Sequence, residues 1–231
     1  PELLGLPYDF TVHDFRGVCP QTHFVTKQGQ FCGRPDVEGC EECNLERPDS
    51  WGIGIRRWRL GFEEWLAGAD RVIYPSQYVQ KVIEDYYPHV QGEVWPHPEQ
   101  VMPEFSGFAE RSLACRKFVL IGALSAAKGL HRLTELANLS LQSEEPFEFV
   151  VVGPTLEPLA TALPRNVTVT GQYDQSQLAQ LLSRERPDGF LFLSVVPETY
   201  NYALSVALAT GLPIWALEAG AIGERLQGVD R

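Results

Sequence analysis

The sequence predicts an α/β fold built on parallel sheets. From Lys117 onward, short apolar runs alternate with segments of helical length. The apolar runs lack a strict alternation of polar and apolar residues, as is usual for strands that are covered on both faces. Strands that alternate with helices are joined by crossover connections, which place neighbouring strands parallel. We therefore predict a doubly wound α/β domain over residues 117–231.

The elements of this second half follow one another closely. The predicted strands are KFVLIGAL, FEFVVVG, NVTVTG, GFLFLS and LPIWAL, and the predicted helices are KGLHRLTELANLSL, DQSQLAQLLSRE and ETYNYALSVALATG. Three of the strands end at a glycine, namely Gly122, Gly153 and Gly171. Glycine at such a position either lets the backbone approach a ligand closely or simply allows the chain to turn.

The first half predicts a second, smaller parallel-sheet domain. YDFTVHDF, RVIYPS and EVWPHP have the composition of strands. Between the first two, WGIGIRRWRLGFEEWLAG carries apolar residues at helical spacing, which indicates an amphipathic helix. The arginines of this helix form either a solvated face or a contact with anionic lipid or phosphate. Residues 1–97 are thus the predicted first domain, and residues 98–116 are a predicted linker.

Composition narrows the class of protein. The formal net charge of −11 argues against a nucleic-acid-binding surface, because such surfaces cluster Lys and Arg. No apolar run is long enough to span a bilayer, and the sequence does not open with a charged and then apolar leader. We therefore expect a cytoplasmic protein, with peripheral membrane contact through the arginine-bearing helix as a further option.

Four of the five cysteines lie close together in a segment rich in Gly, Pro and charge. These four are Cys19, Cys32, Cys40 and Cys43. The closing Cys-x2-Cys spacing lets two thiolates ligate one tetrahedral ion, and a cytoplasmic location disfavours disulfides. We predict a structural zinc site in a cysteine-rich loop over residues 19–43, with two disulfides or free thiols as the alternatives. Cys115 is isolated and is interpreted as a small apolar residue.

Two predicted strand-to-helix joints carry a charged side chain. In an open parallel sheet, ligands bind beyond the carboxyl ends of the strands, where helix N-termini supply free N–H groups. Lys128 stands at one such joint, where its ammonium would join backbone donors around a phosphate. Glu198 stands at another, with Thr199 to Asn201 expected to give the first N–H groups of the helix. Its carboxylate either caps that helix or binds a ligand.

Taken together, several segments resemble a known family. They are TVHDFRGVCP, RVIYPSQYVQKVIEDYYP, VWPHPE, LIGALSAAKGLHRLTELA and PETYNYALSVALATGLPIWALEAGAIGERL. Their order and spacing are similar to those of the retaining, nucleotide-sugar-dependent glycosyltransferases of group 1, and the resemblance covers nearly the whole chain. It implies a GT-B-like α/β fold with two Rossmann-like parallel-sheet domains. Residues 1–97 would be the C-terminal portion of a truncated N-terminal, acceptor-side domain, and residues 117–231 the donor-binding domain.

The resemblance implies transfer of a sugar from a nucleotide-diphosphate donor to an acceptor with retention of configuration. A sugar or glycolipid acceptor and a role in surface polysaccharide or glycoconjugate synthesis follow by the same analogy, and no cofactor is expected for catalysis. This piece alone is expected to be a weak or inactive hexosyltransferase-like enzyme. The alternatives are a non-catalytic GT-B-like binding or interaction module with a decayed donor site, and a GT-B-fold sugar-nucleotide epimerase.

The resemblance also assigns roles to single residues. His13 and Glu198 would be the catalytic residues, with His13 reaching the donor sugar and Glu198 accepting hydrogen bonds from its hydroxyls. Lys128 would neutralise the diphosphate, and Gly122 would leave room for it. The remaining donor contacts would come from Gln172, Tyr173, Thr199, Tyr200 and Asn201. The first two of these would lie at the base, and the last three near the sugar and phosphate.

Two departures from the family pattern stand against full activity. The second glutamate of the family, which would hold the donor ribose, falls at Val206. Losing that charged hydrogen bond would weaken binding by about 1.5–3 kcal/mol. An arginine common in the family falls at Ser125, which leaves Lys128 without that second cation. Since missing N-terminal strands would otherwise cover apolar surface, we also expect self-association of this piece.

Overall fold

A computed structural model shows two compact α/β units. It describes residues 5–49, 51–99, 105, 116–156, 163–227 and 229. The first unit comprises Pro1–Pro98, Val196–Tyr200 and Glu218–Val229, and the second comprises Glu99–Val195, Asn201–Leu217 and Asp230–Arg231. Two late segments therefore pack with the first half of the chain. The domain boundaries at residues 97 and 117 stay a prediction, and most of the predicted linker lies outside the described residues.

Eight strands and seven α-helices make up the described regular structure. In chain order they are β1 (Asp9–Thr11), α1 (Val37–Glu46), α2 (Ile55–Ala67), β2 (Arg71–Tyr74), α3 (Gln77–Tyr86), β3 (Glu93–Val94), β4 (Lys117–Ile121), α4 (Leu130–Ser140), β5 (Glu148–Val152), β6 (Val167–Val169), α5 (Leu178–Glu185), β7 (Gly189–Phe192), α6 (Tyr202–Thr210), β8 (Ile214–Ala216) and α7 (Ala221–Leu226). A 3-10 turn at Gln175–Gln177 leads into α5. Every predicted strand and helix is present, so the α/β class is confirmed.

The first unit is built on a parallel sheet in the order β1-β2-β3. α2 confirms the predicted amphipathic helix, because Ile55, Trp58 and Leu66 are buried at the expected spacing. α7 joins the unit from late in the sequence. Its Glu224 carboxylate accepts the backbone N–H groups of Gln77 (3.0 Å) and Tyr78 (2.9 Å) at the start of α3. A carboxylate at a helix N-terminus is favourable because the helix dipole is positive there.

The arginines of α2 divide between solvent and the interior. Arg56 is exposed and forms an ion pair with Glu38 (2.6 Å). Arg59 does not fit the predicted solvated or lipid-facing surface. Its Nε donates to the carbonyl of Val18 (3.0 Å), and its guanidinium lies 4.6 Å above the Tyr86 ring. Among the helices that the structure describes, none is both long and apolar enough to cross a membrane.

The second unit has a five-stranded parallel sheet in the order β6-β5-β4-β7-β8. Numbered within the unit, this is the order 3-2-1-4-5 of a Rossmann-like sheet. All four residues of β7 are buried, as are the last four residues of β5. This burial explains why these strands carry continuous apolar runs rather than an alternating pattern.

The cysteine-rich segment differs from the predicted loop, because it contains α1. Asp36 caps this helix by accepting the N–H of Gly39 (2.9 Å). The helix buries no side chain completely, so the hydrophobic period that would reveal it in the sequence is missing. Cys40 and Cys43 lie on α1 three residues apart, and therefore on the same side of the helix.

Candidate functional site

The topological switch point of the second unit lies between β4 and β7. The chain continues from β4 to β5 on one side, whereas β7 lies on the other. Ligands of open α/β sheets bind beyond the carboxyl ends of the strands at such a point. Gly122 directly follows β4, and Lys128 is exposed immediately before the N-cap of α4. The sheet order thus places both predicted phosphate-site residues where this rule expects a ligand.

The turn that carries Lys128 is fixed to the chain after β7. A Cβ at Gly129 would overlap the carbonyl oxygen of Leu193, and the φ of Gly129 is +92°. The carbonyl of Ala127 accepts from Val195 N (3.0 Å) and from Ser194 Oγ (3.3 Å). Glycine is therefore required at position 129 for both space and backbone conformation. These contacts hold the backbone next to Lys128 at the switch point.

The ends of β4 and β5 approach each other closely. A Cβ at Gly153 would overlap the carbonyl group of Gly122. Gly122 itself has a φ of +108°, and a Cβ there would meet no atom within 4 Å. Gly153 thus permits close backbone packing, whereas Gly122 turns the chain and leaves open space beside it. This open space is what the predicted role of Gly122 needs.

A cavity of about 370 Å³ lies beyond β6 in the same unit. Its walls include Gln172 and Tyr173, the two residues predicted to meet the nucleotide base, together with Gln177, Gln180 and Arg184. Tyr173 is half-buried, and this burial raises the pKa of its hydroxyl. An aromatic ring beside amide donors and acceptors suits a flat, polar heterocycle.

The segment Val196–Tyr200 packs within the first unit. Glu198 pairs with Gly220 in a parallel bridge, and its carbonyl accepts the N–H of Ala221 (2.9 Å). The backbone of Glu198 is therefore tied to the start of α7, and its side chain is half-buried. α6 begins only at Tyr202, with Asn201 as its N-cap. The expectation that Thr199 to Asn201 give the first N–H groups of α6 is wrong, since the helix starts later.

The same segment lies beside His13. Thr199 Oγ1 donates to the carbonyl of His13 (2.7 Å), and the carbonyl of Thr199 accepts from Ser76 Oγ (3.1 Å). Two of the predicted site residues, 186 positions apart, are thus in direct contact. The structure brings His13 and the Glu198 segment together, as a shared role requires.

The chain after His13 is held by side chains from the neighbouring helices. The carbonyls of residues 16–18 accept hydrogen bonds from Trp58 Nε1 (2.7 Å), the Tyr87 hydroxyl (2.5 Å) and Arg59 Nε (3.0 Å) respectively. Trp58 and Tyr87 are almost fully buried. Their polar atoms need partners in the interior, and the backbone carbonyls of this turn supply them.

His97 is a site residue that the sequence analysis missed. Its ring stacks on His13, with centroids 5.1 Å apart, and meets the Tyr200 ring edge-on at 5.0 Å. The Tyr200 hydroxyl donates to the carbonyl of His97 (3.0 Å), and the guanidinium of Arg225 lies 4.2 Å from the Tyr200 ring centre. The motif VWPHPE contains His97, but no spacing rule connects it to His13. Burial, assisted by His13, lowers the pKa of His97.

Val206 has a packing role. It lies in the middle of α6, is 3% exposed, and is flanked by the buried residues Ser205 and Ala207. A carboxylate in this environment would need a partner, because an unpaired buried charge is costly. The predicted donor residues therefore fall into two sets. His13, Glu198, Thr199 and Tyr200 belong to the first unit, whereas Gly122, Lys128, Gln172, Tyr173 and Asn201 belong to the second.

The four clustered cysteines are free thiols in the structure. Burial raises the pKa of the Cys19 thiol to about 11 and also raises that of Cys32. Over the described ranges, no three His, Cys, Asp or Glu side chains already surround a common point as metal ligands would. The zinc site therefore stays a prediction at this stage.

The close packing at Gly129 gives a first prediction. Gly129→Ala adds both backbone strain and an overlap with Leu193. Each effect costs about 1–3 kcal/mol, so the unfolding free energy of the second unit should fall by more than either effect alone would cause. Gly211→Ala is the matched control, because Gly211 also has positive φ (+71°) but has open space around its Cβ position. Urea denaturation compares the two variants. Equal losses would show that the contact with Leu193 is unimportant.

The His97 cluster predicts an acid-dependent loss of stability in the first unit. The unfolded chain protonates His97 at its ordinary pKa of about 6.5, whereas the folded chain protonates it at lower pH. The stabilising contribution is complete above about pH 6.5 and is lost as the pH falls from there toward the folded pKa, because the unfolded state then binds more protons. His97→Phe keeps an aromatic ring and should flatten the dependence of unfolding free energy on pH.

The control for this pH measurement is His23→Phe, since His23 is exposed. Its pH dependence should match that of the unmodified chain. An unchanged slope in His97→Phe would mean that His97 does not contribute to the acid sensitivity.

Comparison with known proteins identifies the fold. No family model matches the chain, and no curated protein matches its sequence. Anabaena HepE in complex with UDP-glucose has 19% identity and a TM-score of 0.54, over 94% of this chain and 55% of HepE. The pneumococcal O-GlcNAc transferase GtfA in complex with UDP and GlcNAc has 13% identity and a TM-score of 0.51, over 71% of this chain and 33% of GtfA.

A glycosyltransferase from Rickettsia africae gives a similar result, with 14% identity and a TM-score of 0.52 over 73% of this chain and 50% of that protein. The chain thus spans about half the length of HepE and of the Rickettsia protein. Because the sequence identities are this low, the structural likeness establishes the fold and not the reaction. The chain has a GT-B-like α/β fold.

Proposed function

We propose that the chain is the larger part of the donor site of a glycosyltransferase that uses a nucleotide-diphosphate sugar. The observation that carries this proposal is the switch point of the second unit. There, the open space at Gly122 adjoins a strand end, and the turn bearing Lys128 is fixed to the segment after β7. A diphosphate placed beyond these strand ends would meet an ammonium group and the N-terminus of α4.

Chemically, this arrangement suits glycosyl transfer. The bond from the sugar to the diphosphate breaks, so negative charge grows on the leaving phosphate oxygen. A nearby cation and preorganised N–H groups stabilise this charge in the transition state more than in the ground state. The cavity at Gln172 and Tyr173 would take the nucleotide base. HepE and GtfA are both described with UDP or a UDP-sugar, which makes UDP-glucose the first donor to test.

The residues assigned to the donor sugar belong to the first unit. We assign His13 and Glu198 as the catalytic residues. Thr199 holds the backbone of His13, and Tyr200 holds that of His97, whose ring stacks on His13. Transfer with retention of configuration, a sugar or glycolipid acceptor, and a cytoplasmic role in polysaccharide or glycoconjugate synthesis complete the proposal. These features rest on the family resemblance of the sequence motifs.

One observation favours a second candidate function, a GT-B-like binding module without catalysis. Val206 replaces the expected ribose-binding glutamate and is used for packing within α6. A donor bound without that carboxylate would be held less tightly by about 1.5–3 kcal/mol. Binding and turnover therefore have to be measured separately.

Donor binding tests the role of Lys128. Calorimetric titration with UDP-glucose should give a measurable Kd for the chain, and Lys128→Ala should weaken binding by about 10-fold to 100-fold because a charged contact to phosphate is lost. Lys27→Ala is the control, since Lys27 is also an exposed lysine but belongs to the first unit. The proposal fails if the chain binds none of the UDP, GDP and ADP sugars. It also fails if Lys128→Ala and Lys27→Ala bind UDP-glucose with the same Kd.

Turnover distinguishes the enzyme from the binding module. NMR should show slow consumption of UDP-glucose, with the sugar appearing in the product in the same anomeric configuration as in the donor. Glu198→Gln should lower this rate at least 10-fold while changing the Kd for UDP only slightly, because the carboxylate would contact the sugar and not the nucleotide. Binding without any turnover would instead support the non-catalytic module.

A further inference from the structure

The four clustered cysteines line one small cavity in the first unit. Its volume is about 30 Å³, and a single water needs at least about 10–15 Å³ by the same kind of measure. The cavity therefore has room for one ion. Among the described residues that line it there is no Asp, Glu or His, so sulfur is the available anionic ligand type. Two guanidinium groups, of Arg34 and Arg59, also border the cavity.

Three separate stretches of chain bring these sulfurs together. Cys19 follows the turn at residues 16–18, whose carbonyls are anchored by buried side chains. Cys32 comes directly after the antiparallel bridge between Val25 and Phe31, and its N–H donates to the carbonyl of Phe24 (2.8 Å). Cys40 and Cys43 come from one side of α1. Residues this far apart in sequence converge without a disulfide between them.

The sulfur of Cys40 accepts a hydrogen bond, as metal-bound thiolates do, and in the metal-free chain its thiol donates to the carbonyl of Pro35 (3.7 Å). Arg59 Nη2 donates to Cys40 Sγ (3.1 Å). A neutral thiol gains little from such donors, whereas an anionic sulfur is stabilised by each of them.

We propose that Cys19, Cys32, Cys40 and Cys43 bind one Zn²⁺ in a tetrahedral structural site. Binding turns the thiol side chains toward the centre of the cavity. Four thiol protons are released as four zinc–sulfur bonds form, so the site carries a charge of −2. The guanidinium group of Arg59 offsets part of this charge and orients Cys40, to whose sulfur it donates. With four sulfurs around the ion, no position is left for a substrate.

The proposed site would support the candidate active site through the backbone. Cys19 lies six residues after His13, and the anchored turn at residues 16–18 stands between them. A zinc ion bound by Cys19, Cys32 and the cysteines of α1 would fix the C-terminal end of this turn. The hydrogen bonds to its carbonyls already hold the turn itself. Its role is independent of nucleotide binding, so it can be tested without a donor.

The experiment measures metal content directly. The chain is produced with zinc in the medium and purified under reducing conditions without chelator. Elemental analysis and native mass spectrometry should find one zinc per chain. The gain in mass should be the mass of one zinc less that of the four released protons. Cobalt(II) added to the metal-free chain should give the absorption bands of a tetrahedral cobalt–thiolate centre. This second measurement uses the unmodified chain and does not depend on any variant being folded.

Variants identify the ligands. Cys40→Ser and Cys43→Ser should each lose zinc at least 10-fold more readily to a competing chelator than the unmodified chain. Cys115→Ser is the matched control and should retain the metal, because Cys115 is outside the proposed set. The proposal is overturned by a metal-free chain without cobalt–thiolate bands, by disulfides between the four cysteines in freshly reduced protein, by bound iron in place of zinc, or by loss of zinc in Cys115→Ser.

Discussion

Parallel strand pairing is the constraint on which the candidate site depends. Because all five strands of the second unit run in the same direction, their carboxyl ends meet at one edge of the sheet. That edge collects Gly122, the turn of Lys128, Gly153 and Gln172, which are separated by up to 50 positions in the sequence. No local property of these residues could assemble them. The sheet order does so, and the glycines let the strand ends approach closely enough to leave a usable crevice.

The second unit could be predicted almost completely from the sequence, and the reason is its burial. Strands covered on both faces must be apolar throughout, so their runs stand out against the amphipathic helices between them. The rule for strand ends placed Gly122 and Lys128 between β4 and α4, where the structure has them. It failed at Glu198 because the chain does not enter α6 directly from β7. It first passes along the first unit as Val196–Tyr200, and nothing in the local sequence signals that detour.

The first unit was less predictable because its key contacts are long-range. The bond from Thr199 to His13 spans 186 positions, and the Glu224 carboxylate caps a helix almost 150 positions earlier. Such contacts depend on which distant segments of the chain meet in space. The hydrophobic periodicity of the sequence carries no information about these meetings. α1 was missed for a different reason. It is stabilised by the Asp36 cap and by contacts around the cysteines, and it lacks a buried stripe.

The division of the chain between the units has a consequence for biosynthesis. The first unit needs Val196–Tyr200 and Glu218–Val229, which a ribosome makes long after residues 1–98. Until those segments emerge, α3 lacks the carboxylate that caps it and His13 lacks its contact with Thr199. The first unit can therefore complete its contacts only after most of the second unit has been synthesised. The last contacts of the first unit thus join segments that are far apart in the order of synthesis, which is the kind of non-local contact that slows folding.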